Sequence, residues 1–228
     1  MVAIRALNLT GEIITTPYSF AATSQSIEWN GITPVFIDVE PGSGNMDPSK
    51  IEPAISEATS AIIPVHVYGI PCNTRMIKKI ADKYDLAVIY DAAHAFGVKE
   101  GGSSVLNEGD LSVLSFHATK VFNTFEGGAI ISHNIETKKK IDSLKNFGLQ
   151  GEINLEIGGL NGKMSEIQAA TGILQLKYID QNIEKRKQLA LRYSEGLKLI
   201  HGIKVLKPSN EVTANYSYYP IYIGKNCK

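Results

Sequence analysis

Short runs of β-branched and other apolar residues recur along the first 132 residues, and segments of helical character separate them. Runs of this kind, bounded by Gly and Pro, predict β-strands. The predicted strands cover residues 11–16, 33–39, 60–69, 86–91, 110–116 and 127–132. Because the runs are almost continuously apolar, they are typical of a sheet that is covered on both faces.

Two segments between these strands have the pattern of helices. Residues 47–58 begin with Asp47 as a candidate N-cap and Pro48 at the first helical position, where a missing N–H group costs nothing. Residues 73–85 carry apolar side chains at helical spacing along one face. The alternation of strands and helices predicts an α/β fold with right-handed βαβ units and a mainly parallel sheet. In that architecture ligands bind at the carboxyl ends of the strands.

A longer helical pattern follows the predicted sheet. Residues 165–200 predict one long helix, which a capping box between Ser165 and Gln168 opens. We expect its apolar stripe to pack against the rest of the protein. The stripe consists of Ile167, Ala170, Leu174 and Tyr178.

The last part of the chain predicts a change of architecture. Two short apolar runs, 203–207 and 216–223, are predicted strands and indicate the start of a second, smaller domain. We therefore expect a large domain over residues 1–180. Residues 181–228 are then expected to form the linking helix and the start of a small C-terminal domain.

Charge and cysteine usage narrow the classes of function. Lys and Arg together number 23, as do Asp and Glu, so the formal net charge is zero. This balance argues against a nucleic-acid-binding face or an anionic-membrane surface, because both need clustered basic charge. Cys72 and Cys227 show neither a CxxC spacing nor a disulfide framework, which fits a reducing compartment. The sequence has no apolar run of membrane-spanning length and no signal-peptide pattern, so we expect a cytoplasmic protein.

Polar side chains gather where the predicted strands end. Asp91 ends one strand with His94 just beyond it, Ser115 ends another, and Lys120 lies on the loop that follows. Taken singly, Asp91 is as well explained by helix capping, His94 by a structural role and Lys120 by a solvated surface charge. Taken together, they bring an acid, a hydroxyl and an amine to one edge of the sheet.

One cofactor needs this set of groups. Pyridoxal phosphate requires a lysine that holds its aldehyde as an imine and an acid that keeps its ring nitrogen protonated. Its phosphate needs donors such as hydroxyls and helix N-termini. Asp91 beside the ring nitrogen would raise the pKa of that nitrogen through its opposite charge. Lys120, once displaced by an incoming amine, can carry protons at the reacting carbon.

Several motifs occur in the order seen in one enzyme family. They are "PVHVYG" (64–69), "DAAHAFG" (91–97), "SFHATK" (115–120), "EGGAIIS" (126–132) and "GLNGKMSEIQAATGILQLK" (159–177). With these motifs, which lie along most of its length, the chain resembles the DegT/StrS family of sugar-nucleotide aminotransferases. The resemblance implies the fold of the aspartate aminotransferase superfamily, a three-layer αβα sandwich followed by the beginning of a small α+β domain. It also implies pyridoxal 5′-phosphate as the cofactor.

The resemblance assigns roles to residues at matching positions. Lys120 is the residue that holds the cofactor covalently and moves protons, and Asp91 pairs with the ring nitrogen. His94 is expected near the phenolic oxygen of the ring, and Ser115 is expected to donate to the phosphate. Phe20, in "PYSFAAT", is expected to stack on the ring, although a core aromatic is an equally good explanation from sequence.

Further implications concern the partner subunit and the departures from the family. Asn161 corresponds to a residue that reaches the phosphate of the partner subunit, so a homodimer with shared sites is expected.

Lys163 stands where the family commonly has arginine, and lysine cannot reproduce a bidentate guanidinium contact. His66 and His117 lie in the motifs without an assigned role. Family members are longer at both ends, and their phosphate-binding Gly-Thr turn precedes the matched region, so we expect this chain to be a fragment.

These implications converge on one function with open alternatives. The expected reaction transfers an amino group from an amino acid, glutamate by analogy, to a keto-deoxysugar nucleotide, with a dTDP-linked sugar closest in resemblance. The product would serve O-antigen, another surface polysaccharide or a deoxyaminosugar. The alternatives are an inactive truncated paralogue and, ranked lower, a sugar dehydratase, in which histidine replaces the imine-forming lysine. A nucleotide-binding module lacks support because neither GxGxxG nor GxxxxGK[ST] occurs.

Overall fold

The strands of the protein lie mostly where the apolar runs predict them. The structure is a computed structural model that describes residues 1–150, 154–155 and 158–224, so that Cys227 lies outside the described residues. Its strands are β1 Glu12–Thr15, β2 Thr33–Phe36, β3 Thr59–Ile62, β4 Ala87–Asp91, β5 Lys99–Glu100, β6 Ser103–Ser104, β7 Leu111–Ser115, β8 Gly128–Ser132, β9 Leu149–Gln150, β10 Asn154–Leu155, β11 Ile203–Val205, β12 Val212–Thr213 and β13 Ile221–Ile223.

Helices of very different length connect these strands. They are α1 Val2–Ala6, α2 Ala22–Glu28, α3 Ile51–Ala54, α4 Thr74–Tyr84, α5 Ile135–Leu144, α6 Glu166–Leu176 and α7 Ile179–Leu197. Asn73 caps α4 by accepting a hydrogen bond from the Met76 N–H group, 3.1 Å away. Across the described ranges, every helix is too short or too polar to span a bilayer.

A six-stranded sheet forms the centre of the fold. Its strand order is β2-β1-β3-β4-β7-β8, and all neighbours pair in parallel except β7 and β8, which are antiparallel. The predicted α/β fold with a mainly parallel sheet is therefore confirmed. Pro34 lies in β2 at the edge of the sheet, where the missing N–H group leaves no central ladder bond unmade.

Helices cover both faces of the sheet and make it the middle of three layers. Successive strand residues point to opposite faces, and both Ile13 and Ile14 of β1 are fully buried. Ile13 belongs to a core cluster that includes Ile4 of α1 and Leu144 of α5. Ile14 belongs to a second cluster, which includes Ile77 of α4. The near-continuous apolar runs of the sequence are explained by this burial on two sides.

A third cluster lies beyond the carboxyl ends of the strands. Phe96, Phe116 and Phe122 pack ring against ring in it, with centroids 4.5 to 6.2 Å apart. Ile179 at the start of α7 joins the same cluster. The chain after α7 then returns to the sheet region, because β12 pairs with β5.

Two predicted helices differ from the observed ones. The helix predicted over 47–58 ends early: a 3₁₀ turn at Pro48–Lys50 leads into the four residues of α3, although Asp47 accepts a bond from the Ser49 N–H group as a cap should. The long helix predicted over 165–200 is divided. Its capping box forms as predicted, but the helix stops at Leu176 and restarts at Ile179. Ile179, the first residue of α7, is buried in the third cluster.

Two further expectations about the second half are wrong. The apolar stripe of α6 does not pack within the described part of the chain, since Ile167 is 76% and Leu174 is 54% exposed. The strand predicted over 216–223 shrinks to β13, which pairs with β11. Tyr216 has a φ of 53°, which is incompatible with a strand, and the residues around it approach the candidate site instead.

Candidate active site

The carboxylate of Asp91 lies at the carboxyl end of β4 and has a fixed orientation. Its Oδ2 atom accepts a hydrogen bond from the Thr23 hydroxyl at 2.7 Å, and its Oδ1 atom accepts one from the Ala93 N–H group at 3.1 Å. Thr23 is buried in α2, so a helix on one side of the sheet holds an acid at the end of a strand. Oxygen atoms satisfied in this way keep a carboxylate in one rotamer.

A cleft opens beside this carboxylate at the edge of the sheet. Its volume is about 530 Å³. Asp91, Ala93 and Ser115 line it from β4 and β7, and Thr23 and Trp29 line it from α2 and the residue after it. Ligands of open α/β folds bind at this edge, and the cleft has the size of a small-molecule site.

Lys120 lies on a tight turn after β7. Its backbone N–H group donates to the His117 carbonyl at 2.9 Å, and the Asn123 side-chain amide donates to the Lys120 backbone carbonyl at 3.4 Å. The side chain is half-buried, and its Nζ atom lies 6.0 Å from the centre of the Tyr218 ring. The turn thus holds an amine near a ring from the far end of the chain.

His94 shares its surroundings with both charged groups. Burial, followed by the charge of Lys120, lowers the pKa of His94 to about 4, and the charge of Asp91 opposes this shift. Its Nδ1 atom accepts a hydrogen bond from the Tyr68 N–H group at 3.2 Å. The ring is therefore neutral at pH 7 with its proton on Nε2, where it can donate to a ligand.

Two other predicted site residues lie on exposed segments. Phe20 precedes α2 and is 81% exposed, which excludes the alternative that it is a core aromatic. Asn161 is exposed, and its backbone pairs with Asn146 beyond the end of α5. Lys163 donates to the Asn146 side chain at 3.0 Å and lies 4.4 Å from the Phe147 ring centre. The roles of Phe20 and Asn161 at the cofactor stay predictions.

The two histidines without an assigned role have different surroundings. His66 is fully buried, stacks on Tyr90 with ring centres 4.7 Å apart, and accepts a bond from the Cys72 N–H group at 3.0 Å. His117 is exposed, with its Nδ1 atom 3.0 Å from the Thr119 hydroxyl. The surroundings of His66 are those of a structural histidine.

The structure adds residues that the sequence reasoning missed. Thr23 holds Asp91, and Tyr68, Asn215 and Tyr218 surround His94. Thr23 lies three residues after Phe20 in a motif already singled out, so its hydroxyl could have been predicted from the sequence to lie near the site. Asn215 and Tyr218 carried no such signal, because Tyr218 lies in a segment that was predicted to be a strand and Asn215 immediately precedes it.

The fully buried His66 and the partly buried His94 predict a pH-dependent stability. Burial lowers the pKa of His66 to about 4, and the pKa of His94 is also lowered to about 4. Between about pH 6.5, where unfolded histidine titrates, and pH 4, the unfolded chain binds more protons than the folded chain, so stability falls as the pH falls. Each histidine contributes a slope that approaches about 1.4 kcal/mol per pH unit.

Urea unfolding followed by circular dichroism at several pH values between these limits measures that slope. We expect His66→Gln to reduce the slope and His133→Gln, at an exposed position, to leave it unchanged. A slope that stays the same in the His66 variant would contradict the assignment.

Comparison with known proteins gives a consistent result along the whole chain. The model of the DegT/DnrJ/EryC1/StrS aminotransferase family matches residues 1–228. A dTDP-4-amino-4,6-dideoxy-D-glucose transaminase of Shigella dysenteriae is 55% identical over 221 residues, which are 97% of this chain and 60% of that protein. A transaminase of the same name from Escherichia coli is 52% identical over 222 residues, with the same two shares. The chain thus spans about 60% of the length of these curated relatives.

Solved structures of similar proteins have the same fold. The crystal structure of DesI in the presence of its TDP-sugar product has a TM-score of 0.94 and 37% identity, covering 98% of this chain and 57% of that one. The structure of NtdA from Bacillus subtilis with bound cofactor PMP has a TM-score of 0.85 and 32% identity, covering 97% of this chain and 52% of that one.

Proposed function

Because the chain belongs to the DegT/DnrJ/EryC1/StrS aminotransferase family, we propose that it transfers an amino group from an amino acid to a keto-deoxysugar nucleotide. The observation that carries the proposal is the grouping of an acid, a hydroxyl and an amine at one edge of the sheet. Asp91 and Ser115 line one cleft, and the charges of Asp91 and Lys120 both act on His94. Glutamate is the proposed donor, and a dTDP-linked sugar is the proposed acceptor.

The donor set fits pyridoxal phosphate, the cofactor of this family. When bound, the cofactor supplies an aldehyde that exchanges amino groups and a ring that accepts electrons. Asp91 would hold the ring nitrogen in its protonated form, with Thr23 keeping the carboxylate in place. Ser115 would donate a hydrogen bond from its hydroxyl group to the phosphate, and Phe20 would cover the ring.

The remaining groups act on the reacting atoms. Lys120 would hold the aldehyde carbon covalently between turnovers and, once displaced by an amine, would take and return a proton at the reacting carbon. His94, neutral with its proton on Nε2, would donate a hydrogen bond to the phenolic oxygen of the ring. The retention of Lys120 supports amino transfer over dehydration.

Absorption spectroscopy of the purified chain with added pyridoxal phosphate tests the proposal. We expect a visible absorbance band that glutamate bleaches and that a keto-deoxysugar nucleotide restores, with the amino sugar formed in equal amount. A folded chain without such a band would contradict the proposal and support the inactive-paralogue alternative. Loss of water from the sugar without amino transfer would instead support dehydration.

We propose further that two copies of the protein share their sites. The support is the exposed apolar surface of α6, formed by Ile167, Ile173, Leu174 and Leu176. This helix packs beside the loop after Lys120, since a Cβ atom on Gly172 would lie 3.1 Å from Thr124. Exposed apolar surface next to a site is typical of an interface between subunits. Asn161, also exposed, is the residue proposed to reach the partner's phosphate.

Ile167→Glu is expected to shift the protein from dimer to monomer, because it places a charge on this apolar surface, where Ile167 is 76% exposed. Sedimentation velocity measures the change. Gln181→Glu, which adds the same charge at an exposed position of α7, is the matched control and is expected to leave the dimer intact. A monomeric wild-type protein with full activity would contradict the shared site.

Three finer points belong to the same proposal. The division into a large domain up to residue 180 and the start of a small domain after it is kept as proposed. A cytoplasmic location stays a prediction from cysteine usage. The use of the product in O-antigen or another surface polysaccharide follows from the proposed substrate class and stands or falls with it.

A further inference from the structure

The segment 215–218 returns from the C-terminal part of the chain to the candidate site. Asn215 is buried, and its side-chain amide donates to the carbonyl groups of His94 at 2.8 Å and Phe96 at 2.9 Å. Its Oδ1 atom accepts a bond from the Ser217 N–H group at 2.9 Å. Both donors of one side chain are therefore used to hold the loop after β4, and its acceptor holds the segment itself.

Other contacts keep this segment close to the site. Arg186 of α7 donates to the carbonyl groups of Tyr216 and Ser217, at 3.4 Å each. Gly69 has a φ of 81°, and a Cβ atom there would lie 2.7 Å from the His94 carbonyl and 3.0 Å from Asn215 Oδ1. The backbone around residue 69 therefore packs directly on the loop and on Asn215, which leaves the segment little room to move.

These contacts bring the Tyr218 ring beside His94 and Tyr68. Its centre lies 4.6 Å from that of His94 and 5.6 Å from that of Tyr68. The Lys120 Nζ atom lies 6.0 Å from the same ring centre. An ammonium group at this distance from an aromatic ring is attracted by the negative face of the ring.

We infer that the Lys120 amine rests against the Tyr218 ring when that amine is not bonded to the cofactor. Asn215 is then the residue that positions Tyr218. The inference rests on the proposed function, in which Lys120 is released and recaptured in every cycle. An amine held near its target returns with a smaller loss of conformational freedom than one that extends into solvent. Tyr218 also packs against His94, so one ring orients two groups of the site.

The test observes Lys120 directly, in the full 228-residue chain without cofactor. Lysine is labelled with ¹³C at its ε-carbon, and Lys120→Arg identifies the resonance of Lys120 by its disappearance. We expect the ring current of Tyr218 to displace this resonance from those of exposed lysines. Tyr218→Leu is expected to remove the displacement, and Tyr218→Phe, which keeps the ring, is expected to retain it.

Asn215→Asp replaces the two N–H donors of the side-chain amide with an oxygen that faces two carbonyl groups. It is therefore expected to reduce the displacement of the Lys120 resonance, as Tyr218→Leu does. Tyr219→Leu is the matched control, because Tyr219 lies next in the chain but bonds to Ser194 at 2.9 Å. Circular dichroism verifies folding, and Tyr218, which is 40% exposed, can be replaced without disturbing the buried amide.

An unchanged resonance in Tyr218→Leu, or an equal change in Tyr219→Leu, would overturn the inference. If the Lys120 resonance keeps its displaced position in a folded Asn215→Asp chain, the role of Asn215 is overturned. Because the measurement needs no cofactor, a failure to bind pyridoxal phosphate would count against the proposed function alone.

Discussion

Lys120→Ala is expected to abolish the visible absorbance band with pyridoxal phosphate and to lower amino transfer by about 10³-fold or more. In the proposed function one amine both holds the cofactor and moves the proton at the reacting carbon, so the substitution removes both roles. Lys120 is half-buried on a turn after β7, and its backbone bonds do not depend on the side chain. The free energy of unfolding is therefore expected to change by less than about 1 kcal/mol.

Borohydride reduction followed by mass spectrometry provides the second measurement for this variant. In the wild-type chain we expect the cofactor mass on the peptide that contains Lys120, and in the variant we expect no added mass. Lys78→Ala is the control, because Lys78 is exposed on α4 and pairs only with Asp82 among the contacts described for it. Retention of the band in Lys120→Ala would refute the assignment.

Asp91→Asn is expected to lower amino transfer by about 10²- to 10³-fold. The substitution keeps the shape of the side chain and an oxygen for the Ala93 N–H group, but it removes the charge that is proposed to raise the pKa of the ring nitrogen. A neighbouring opposite charge shifts a pKa by about 1 to 3 units, which sets the size of the loss. The residual activity is expected to rise as the pH falls, since acid then protonates the ring nitrogen without help.

Steady-state kinetics from about pH 6 to about pH 9 measures both the loss of amino transfer and its dependence on pH. Asp110→Asn is the matched control: Asp110 Oδ2 accepts a bond from the Val88 N–H group at 2.7 Å, but at the amino end of β7, the opposite end from the site. Equal losses in the two variants would indicate a general effect of removing a carboxylate from the sheet. Thr23→Val should give a smaller loss, because the charge of Asp91 remains.

The candidate site could be predicted in part because its residues follow strands. Asp91 and Ser115 end buried runs, and parallel strands bring their carboxyl ends to one edge, so the sequence places both side chains there. Lys120 follows within five residues of Ser115 and cannot lie far away. The resemblance to a family then supplied the roles that position alone leaves open.

The residues around these groups could not be predicted in the same way. Asn215 lies 121 positions from His94 along the chain, and their hydrogen bond depends on where α7 and the strands after it lie. Local pattern carries no information about such a contact, and the tyrosine-rich segment resembled a strand. The same limit applies to α6 and α7, since Ile179 at the start of α7 packs in a cluster with residues distant along the chain.

The sequence by itself determined the α/β fold, the strands of the central sheet and the helix caps at Asp47 and Ser165, because all of these depend on residues close together in the chain. Only the tertiary structure decided the antiparallel pairing of β8, the division of the long helix, the exposure of the α6 stripe and the position of Tyr218 beside His94. These features depend on packing between distant segments, whose free energy is set by contacts that no short stretch of sequence contains.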